Sequence, residues 1–329
     1  MERYINSFAT ENDIQTALQN GELLKPYVAY IEDADRIDWN SKEIVDYTTE
    51  YLTFNILSAG TINWTANSTD FTKTIDYKLN NGEWVSITSN TGSSAPTITV
   101  NSGDKVQFRG NNAQYATNTY SNYNLFSSTA SFEIEGNIMS LIYGDDFKNK
   151  LTISSVYAFF GLFRNCTKLV SAKNLVLPAT TLANWCYQSM FEGCTSLTTA
   201  PELPATTLAP SCYDSMFQGC RSLITAPALP ATTLANNCYG SMFKWCKSLT
   251  KAPELPATKL AQYCYYGMFE GCTSLNHIKC LATDISASNC TSGWVDSVAS
   301  TGTFVKNPNM SEWETGVNGI PVNWTVQDA

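Results

Sequence analysis

A unit of 26 residues recurs without insertion through the middle of the chain, and it limits the fold more than any other feature. One copy, Leu203–Ala228, runs LPATTLAPSCYDSMFQGCRSLITAPA. Copies open at Leu177-Pro178, Leu203-Pro204, Leu229-Pro230 and Leu255-Pro256. Each passes through Cys-Tyr (Cys186-Tyr187, Cys212-Tyr213, Cys238-Tyr239, Cys264-Tyr265), then Met-Phe, then a second cysteine (Cys194, Cys220, Cys246, Cys272). A fixed period of this size marks a solenoid, in which no unit buries its apolar face alone and stacked neighbours build one core. A degenerate copy leads in through Phe163, Cys166 and Leu169, and a shortened one leads out at Leu281–Cys290.

Stacking places equivalent residues side by side. The row Tyr187, Tyr213, Tyr239 and Tyr265 is therefore either a buried core ladder or, if exposed, an aromatic surface suited to sugar faces or a protein partner. Non-repeated positions beside it face outward by exclusion, among them Trp185, Tyr263, Tyr266, Gln188 and Asp214. The candidate binding residues are thus Tyr187, Tyr213, Tyr239, Tyr265, Trp185, Tyr263 and Tyr266. Within each unit Leu-Thr-x-Ala-Pro-x-Leu-Pro is expected to be extended and Cys-Tyr-x-x-Met-Phe a short helix, with Cys212 and Met216 on one face. The prolines limit ladder hydrogen bonding, so the stacked sheet is expected to be short and irregular.

All eleven cysteines lie between Cys166 and Cys290, spaced by the repeat and not as CxxC pairs. They read as small buried thiols filling a tight core; the spacing and the scarcity of histidine do not fit structural zinc, and no metal or other cofactor is expected. Catalytic patterns are missing as well: GxSxG, HExxH and phosphate-loop glycines do not occur. The single histidine, His277, lies near Cys272 and Cys280, which sit at or near core repeat positions. A non-enzymatic protein is expected, with glycan hydrolysis through Glu133 or Glu135 as a distant alternative.

Before the repeats the chain divides in two. Residues 1–50 hold eleven acids against four bases, which is −7 of the total −9. A balance this acidic argues against nucleic-acid binding. The segment carries a helix signal from Thr10 to Gly21, a strand at Tyr27–Ile31 and an acidic turn at Asp33–Asp38, a thin core for an independent domain. It reads as an attachment module. Residues 51–143 alternate as short strands: Tyr51–Leu57, Thr61–Thr65, Lys73–Leu79, Trp84–Thr88, Thr97–Val100, Lys105–Arg109 and Ala130–Gly136. Asn80-Asn81-Gly82 and Ser102-Gly103-Asp104 supply turns. About seven strands in this length suggest an antiparallel, Ig-like β-sandwich, interrupted by a polar, tyrosine-dotted loop at 111–128 that is either functional or simply a surface loop. The solenoid then spans 144–290, and a cap at 291–329 with Trp294, Phe304, Trp313 and Trp324 closes its last rung. The fold class is mainly β with short helices.

The run Phe191–Leu197, repeated at Phe217–Leu223 and partly at Phe269–Leu275, resembles the BspA-like leucine-rich repeat. The full unit is similar to a subfamily found in surface proteins of intestinal anaerobes and in their phages and prophages. The likeness covers about residues 151–329, including the GTFVKNPNMSEW and GIPVNWTVQDA tail. It departs at Lys244-Trp245, where a polar-Gly pair is usual, and at Ala282, where proline is lost. Lys25–Asp33 also resembles stretches near the start of phage structural proteins. These resemblances imply a binding or adhesion protein. No secretion signal and no 18-residue apolar run occur. Beginning at Met1, the chain is expected to be an intact virion component: residues 1–50 would dock on a capsid or tail protein, and the solenoid would meet a host-surface glycan or protein. A bacterial cell-surface adhesin is the alternative, and either could be a homo-oligomer.

Overall fold

The computed structural model describes residues 46–118, 121–311 and 313–329, together with the backbone of three short strands ahead of them. Those strands, β1 (Asn6–Phe8), β2 (Val28–Ile31) and β3 (Arg36–Trp39), form one sheet in the order β1-β2-β3. β2 realises the strand expected at Tyr27–Ile31. The helix expected from Thr10 to Gly21 lies outside the described residues, as does the start of the acidic turn; Arg36–Asp38 belongs to β3. This unit closes at Asp46, and Tyr47–Ala329 forms a second compact unit.

In the second unit strand predominates, and helix among the described residues is confined to single turns such as Ser140–Tyr143. All seven strands expected in 51–143 form, as β4 (Leu52–Ile56), β5 (Gly60–Ala66), β6 (Thr74–Leu79), β7 (Val85–Thr88), β8 (Thr97–Val100), β9 (Lys105–Arg109) and β11 (Phe132–Asn137). An eighth, β10 (Asn124–Ser128), occupies the end of the stretch expected to be loop. Its polar residues hid the alternation: Asn124 and Phe126 are fully buried while their neighbours are not. Tyr115, in the same stretch, is also buried, and its hydroxyl donates to the Leu141 carbonyl at 2.6 Å. One sheet has the order β10-β5-β8 and is antiparallel throughout. The other runs β12-β11-β4-β9-β6-β7, with β12 at Leu169–Val176. Between the two, Phe54 meets Phe126 at 5.0 Å and Phe108 meets it at 4.8 Å.

The boundary expected at 143/144 does not interrupt the packing. β12 comes from the leading repeat copy, and it pairs in parallel with β11 of the sheet. Phe163 of that copy lies 5.7 Å from Phe126 and 5.4 Å from Phe191. The sheet core and the repeat core are thus one hydrophobic cluster. Gly136 permits the junction: at φ +83° it passes so close to Tyr51 that a Cβ would sit 2.0 Å from that carbonyl oxygen.

Each repeat then lays one rung against the next. Phe191, Phe217, Phe243 and Phe269 stack at 5.5, 5.8 and 5.9 Å. The extended limbs meet through single parallel bridges, Thr181 to Thr207 to Thr233 and Ser171 to Thr199 to Thr225. Prolines in each limb, such as Pro201 and Pro204, lack the N–H that a continuous ladder needs. The expected short helix does not form. In Trp185–Cys194 a left-handed residue recurs every fourth position, Trp185 (φ +57°), Ser189 (φ +54°) and Gly193 (φ +73°), and α-helix tolerates none of these. Alternate amides split their bonding instead. Cys186, Gln188, Met190, Glu192 and Cys194 close turns three residues back, while Tyr187, Ser189, Phe191 and Gly193 donate to the rung ahead. Every amide in the segment is satisfied without helix or strand, as burial demands. The side-chain period becomes four, so Cys212 and Met216 do share the inner face.

The last rung is covered by β13 (His277–Cys280), β14 (Thr303–Lys306) and β15 (Thr325–Asp328), a parallel sheet in that order. Trp294 ends both aromatic columns, 6.2 Å from Tyr265 and 6.2 Å from Phe269, and Trp313 stacks on it at 5.5 Å.

Candidate functional site

The sequence left two readings for the repeated tyrosines, and burial decides between them. Tyr187, Tyr213, Tyr239 and Tyr265 are each no more than 1% exposed. They form a stack at 5.7, 6.0 and 6.3 Å that begins at Tyr115 and Phe159 of the preceding region. Offset stacking at such distances is a favourable aromatic geometry. As candidate binding residues these four are corrected: no ligand reaches a ring inside the core. Tyr187 even buries its hydroxyl without a partner.

The cysteines flank this stack. All eleven are buried and unpaired. The second cysteine of each unit has a specific place: Cys194, Cys220, Cys246 and Cys272 donate their thiols to the carbonyls of Phe163, Phe191, Phe217 and Phe243, one rung back, at 2.9–3.1 Å. Burial pushes the thiols of Cys166, Cys212, Cys272 and Cys280 up to about 12, so they stay protonated and unreactive at neutral pH. Among the described residues no His, Cys, Asp and Glu group could hold a metal ion.

The remaining three candidates lie on the outer side of the turn limb. Tyr263 and Tyr266 are 37% and 45% exposed and meet edge to face at 5.9 Å. Trp185 is half-buried because its ring stacks on Tyr157 at 5.0 Å. Trp185 and Tyr263 occupy equivalent positions of their rungs, but Ser211 and Asn237 stand at that position in the two rungs between. The aromatic surface is therefore interrupted. Trp245, 44% exposed, adds a ring at a different position, where Lys244 lies 4.8 Å over its face and is ion-paired to Glu270 at 2.7 Å. It fits only because the next rung has glycine, for a Cβ on Gly271 would meet the indole at 2.3 Å.

Between Trp185 and Tyr263 the outward positions are polar and mutually bonded. Gln188 donates to Asp214 at 2.6 Å, and Asn237 donates to Ser211 at 3.2 Å. Burial raises the Asp214 carboxyl to about 6, against the opposing hydrogen bonds from Gln188, Ser215 and Asn237.

A second feature lies on the extended limb. A groove of about 480 Å³ opens over Ile224, Ala228, Lys251, Glu254, His277 and Lys279. Ala228, in its lining, stands where the adjacent repeats carry Glu202 and Glu254. His277 was noticed in the sequence for its nearness to Cys272 and Cys280. Those two thiols are inside the core, whereas the imidazole lines the groove beside Lys251. Nothing in the sequence indicated this groove except the mismatch at Ala228, which becomes legible only once the repeats are known to stack.

No family model, curated protein or solved structure matches the chain. Among the described residues, no helix is long and apolar enough to cross a membrane.

Proposed function

We propose that the chain is a non-enzymatic binding protein, built as an Ig-like sandwich continued by a leucine-rich-repeat solenoid of the BspA-like kind. Its outer surface is displayed for attachment to a host-surface glycan or protein. In this reading it is a structural component of a phage particle, docked on a capsid or tail protein through residues 1–50. The observation that carries the binding role is the contrast between an interior repeated ring for ring and an outer turn limb whose residues differ between rungs, as at Trp185, Ser211, Asn237 and Tyr263. Tyr263, Tyr266 and Trp245 are exposed aromatic residues on single rungs, over columns of identical buried ones. A surface that varies on a fixed scaffold is how repeat proteins tune a partner. Eleven buried, unpaired thiols suit assembly in a reducing compartment.

The test is peptide mass spectrometry on density-purified particles, alongside the washed surface of the producing bacterium. Stoichiometric peptides in the particles are expected. Peptides on the cell surface alone would sink the virion role and leave a bacterial adhesin. Release of reducing sugar from mucin by the purified chain, abolished by substitution of Glu133 or Glu135, would overturn the non-enzymatic reading.

A further inference from the structure

The groove on the extended limb has the chemistry of a specific small-ligand site. Its volume lies within the roughly 300–1,000 Å³ of ordinary small-molecule pockets. Apolar surface comes from Ile224, Ala228 and Pro253, and hydroxyls from Thr225 and Thr250. The charges are unequal. Lys279 is neutralised by Glu254 at 3.1 Å, while Lys251 has no ion pair among the described residues. Lys251 and His277 are bridged neighbours on adjacent rungs, and both line the groove.

We propose that this groove binds a small carboxylate of the sugar-acid class. The carboxylate would pair with Lys251 and the imidazole of His277, the hydroxyls with Thr225 and Thr250, and the apolar ring face with Ala228 and Ile224. A peptide adding as a strand is disfavoured because the backbone here is already bonded rung to rung, Ala252 to His277, Asn276 to Thr250 and Leu255 to Lys279. An anion is preferred over a neutral sugar because Lys251 is otherwise uncompensated. The imidazole supplies an independent sign of occupancy. Burial, and then the charge of Lys251, hold it below the usual histidine range. A bound carboxylate would oppose both the charge of Lys251 and the preference for neutrality, and so raise it. The other charged groups lining the groove, Glu254 and Lys279, already offset each other.

This proposal rests on the reading of the chain as a binding protein, and the two fail separately. His277 is the only histidine in the chain. Its imidazole NMR resonance in the full-length protein therefore reports this groove and nothing else. Titration with N-acetylneuraminate and with glucuronate is expected to shift that resonance saturably and to raise its pKa, while lactose leaves both unchanged. Lys251→Met should weaken binding about tenfold or more, and Lys251→Arg should largely retain it. Ala228→Glu restores the residue of the neighbouring repeats, so it should fold normally while filling the groove with a competing carboxylate and abolishing the shift. An unmoved resonance with both acids, an equal response to lactose, or undiminished binding by a folded Ala228→Glu variant would each overturn the proposal. Attachment of the whole chain to host cells or mucin, with the His277 resonance unmoved by either acid, would leave the binding role standing and remove only this groove.

Discussion

The two-sheet region and the repeats share one core but fill it by different rules. In the sheets each large side chain meets different neighbours at different angles: Phe54 stacks on Phe132 at 14°, tilts 55° to Phe108 and stands 67° to Phe126. In the repeats each phenylalanine meets its own copy, with Phe191, Phe217, Phe243 and Phe269 parallel to within 7°. The sheet core is held by contacts between strands far apart in sequence, such as β11 with β4, and works only as a whole. The repeat core is a series of nearest-neighbour interfaces, each nearly the same. One region is a single cooperative object, and the other is close to a sum.

The sharpest way to break that comparison is deletion. Removing one whole unit, Leu203–Ala228, brings Glu202 to Leu229 and restores every column in register. The product should fold, with a cooperative melt and the same circular dichroism per residue. Removing about half a unit, thirteen residues from Leu203, sets the tyrosine column against the alanine column of Ala200, Ala226 and Ala252 and strands the turn amides. It should yield aggregated or unfolded protein. Removing β10 from the sheet region has no register-preserving equivalent and should also abolish folding. If the whole-unit deletion failed as badly as the half-unit one, the repeats would not be additive.

Single truncations should differ in their spread. Phe217→Ala opens a cavity in a column and is expected to cost about 3–5 kcal/mol in denaturant unfolding. Phe191→Ala and Phe243→Ala should cost nearly the same, because their surroundings are copies. Phe54→Ala and Phe108→Ala should differ more widely from one another. The adjacent double variant at 191 and 217 should be non-additive, since both rings line one cavity, whereas 191 with 269, which share no stacking partner, should add to within about 0.5 kcal/mol. Equal scatter in both regions would remove the distinction.

The same contrast explains what the sequence disclosed. Seven of the eight strands in the sheet region announced themselves by alternation, and β10 did not, because Asn124 and Ser128 are polar residues serving a buried strand. The repeat period disclosed the stacking of rungs and the burial of the cysteines. It did not disclose the turn geometry, because left-handed conformations at Trp185, Ser211, Asn237 and Tyr263 have no shared residue type to signal them. Site residues followed the same division. Exposure of Tyr263 and Tyr266 came from exclusion against the period. The groove is marked by a single small residue, Ala228, and by which rungs it faces, and a one-dimensional reading carries neither. Burial of Tyr187 and its copies could not be read either, since a repeated tyrosine satisfies a ladder inside or outside.

Acid–base behaviour offers a finer probe of the repeats. Asp214 titrates near 6 in the folded chain and near 4 when unfolded, so between those values the folded state holds the proton more tightly. Stability contributed by this residue should therefore fall as pH rises from about 4 to about 6 and stay level above that. The loss is expected to be about 3 kcal/mol. Asp214→Asn keeps an acceptor for Gln188 and removes the titration. Its advantage over the parent should be absent at pH 4 and present at pH 7 in thermal melts. In the sheet region Asp145 shows the opposite sign. Hydrogen bonds from Tyr51 and Arg109 hold it below its ordinary value, so its contribution is present at neutral pH and lost in acid. A parent and Asp214→Asn pair with parallel pH profiles would show that Asp214 is more open to water than its packing indicates.

The smallest expected effect isolates the turn geometry itself. The left-handed position at the centre of each turn limb holds Ser189, Ser215 and Ser241 in three rungs and Gly267 and Gly293 in the next two. A residue with a Cβ is strained there by about 1–2 kcal/mol, while glycine loses more chain entropy on folding, by up to about 1 kcal/mol. The difference favours glycine slightly, so Ser241→Gly should stabilise the chain by roughly 0.5 kcal/mol, and Gly267→Ala should destabilise it by about 1 kcal/mol. Because the rungs are copies, the two changes made together should nearly offset, apart from the close approach of a Cβ on Gly267 to the Ser241 hydroxyl, 3.2 Å, which Ser241→Gly removes. Denaturant midpoints resolve shifts of this size. If Ser241→Gly were destabilising, the serine side chain would be making an interaction worth more than the strain it carries, and these positions would belong to the functional surface, not to the scaffold.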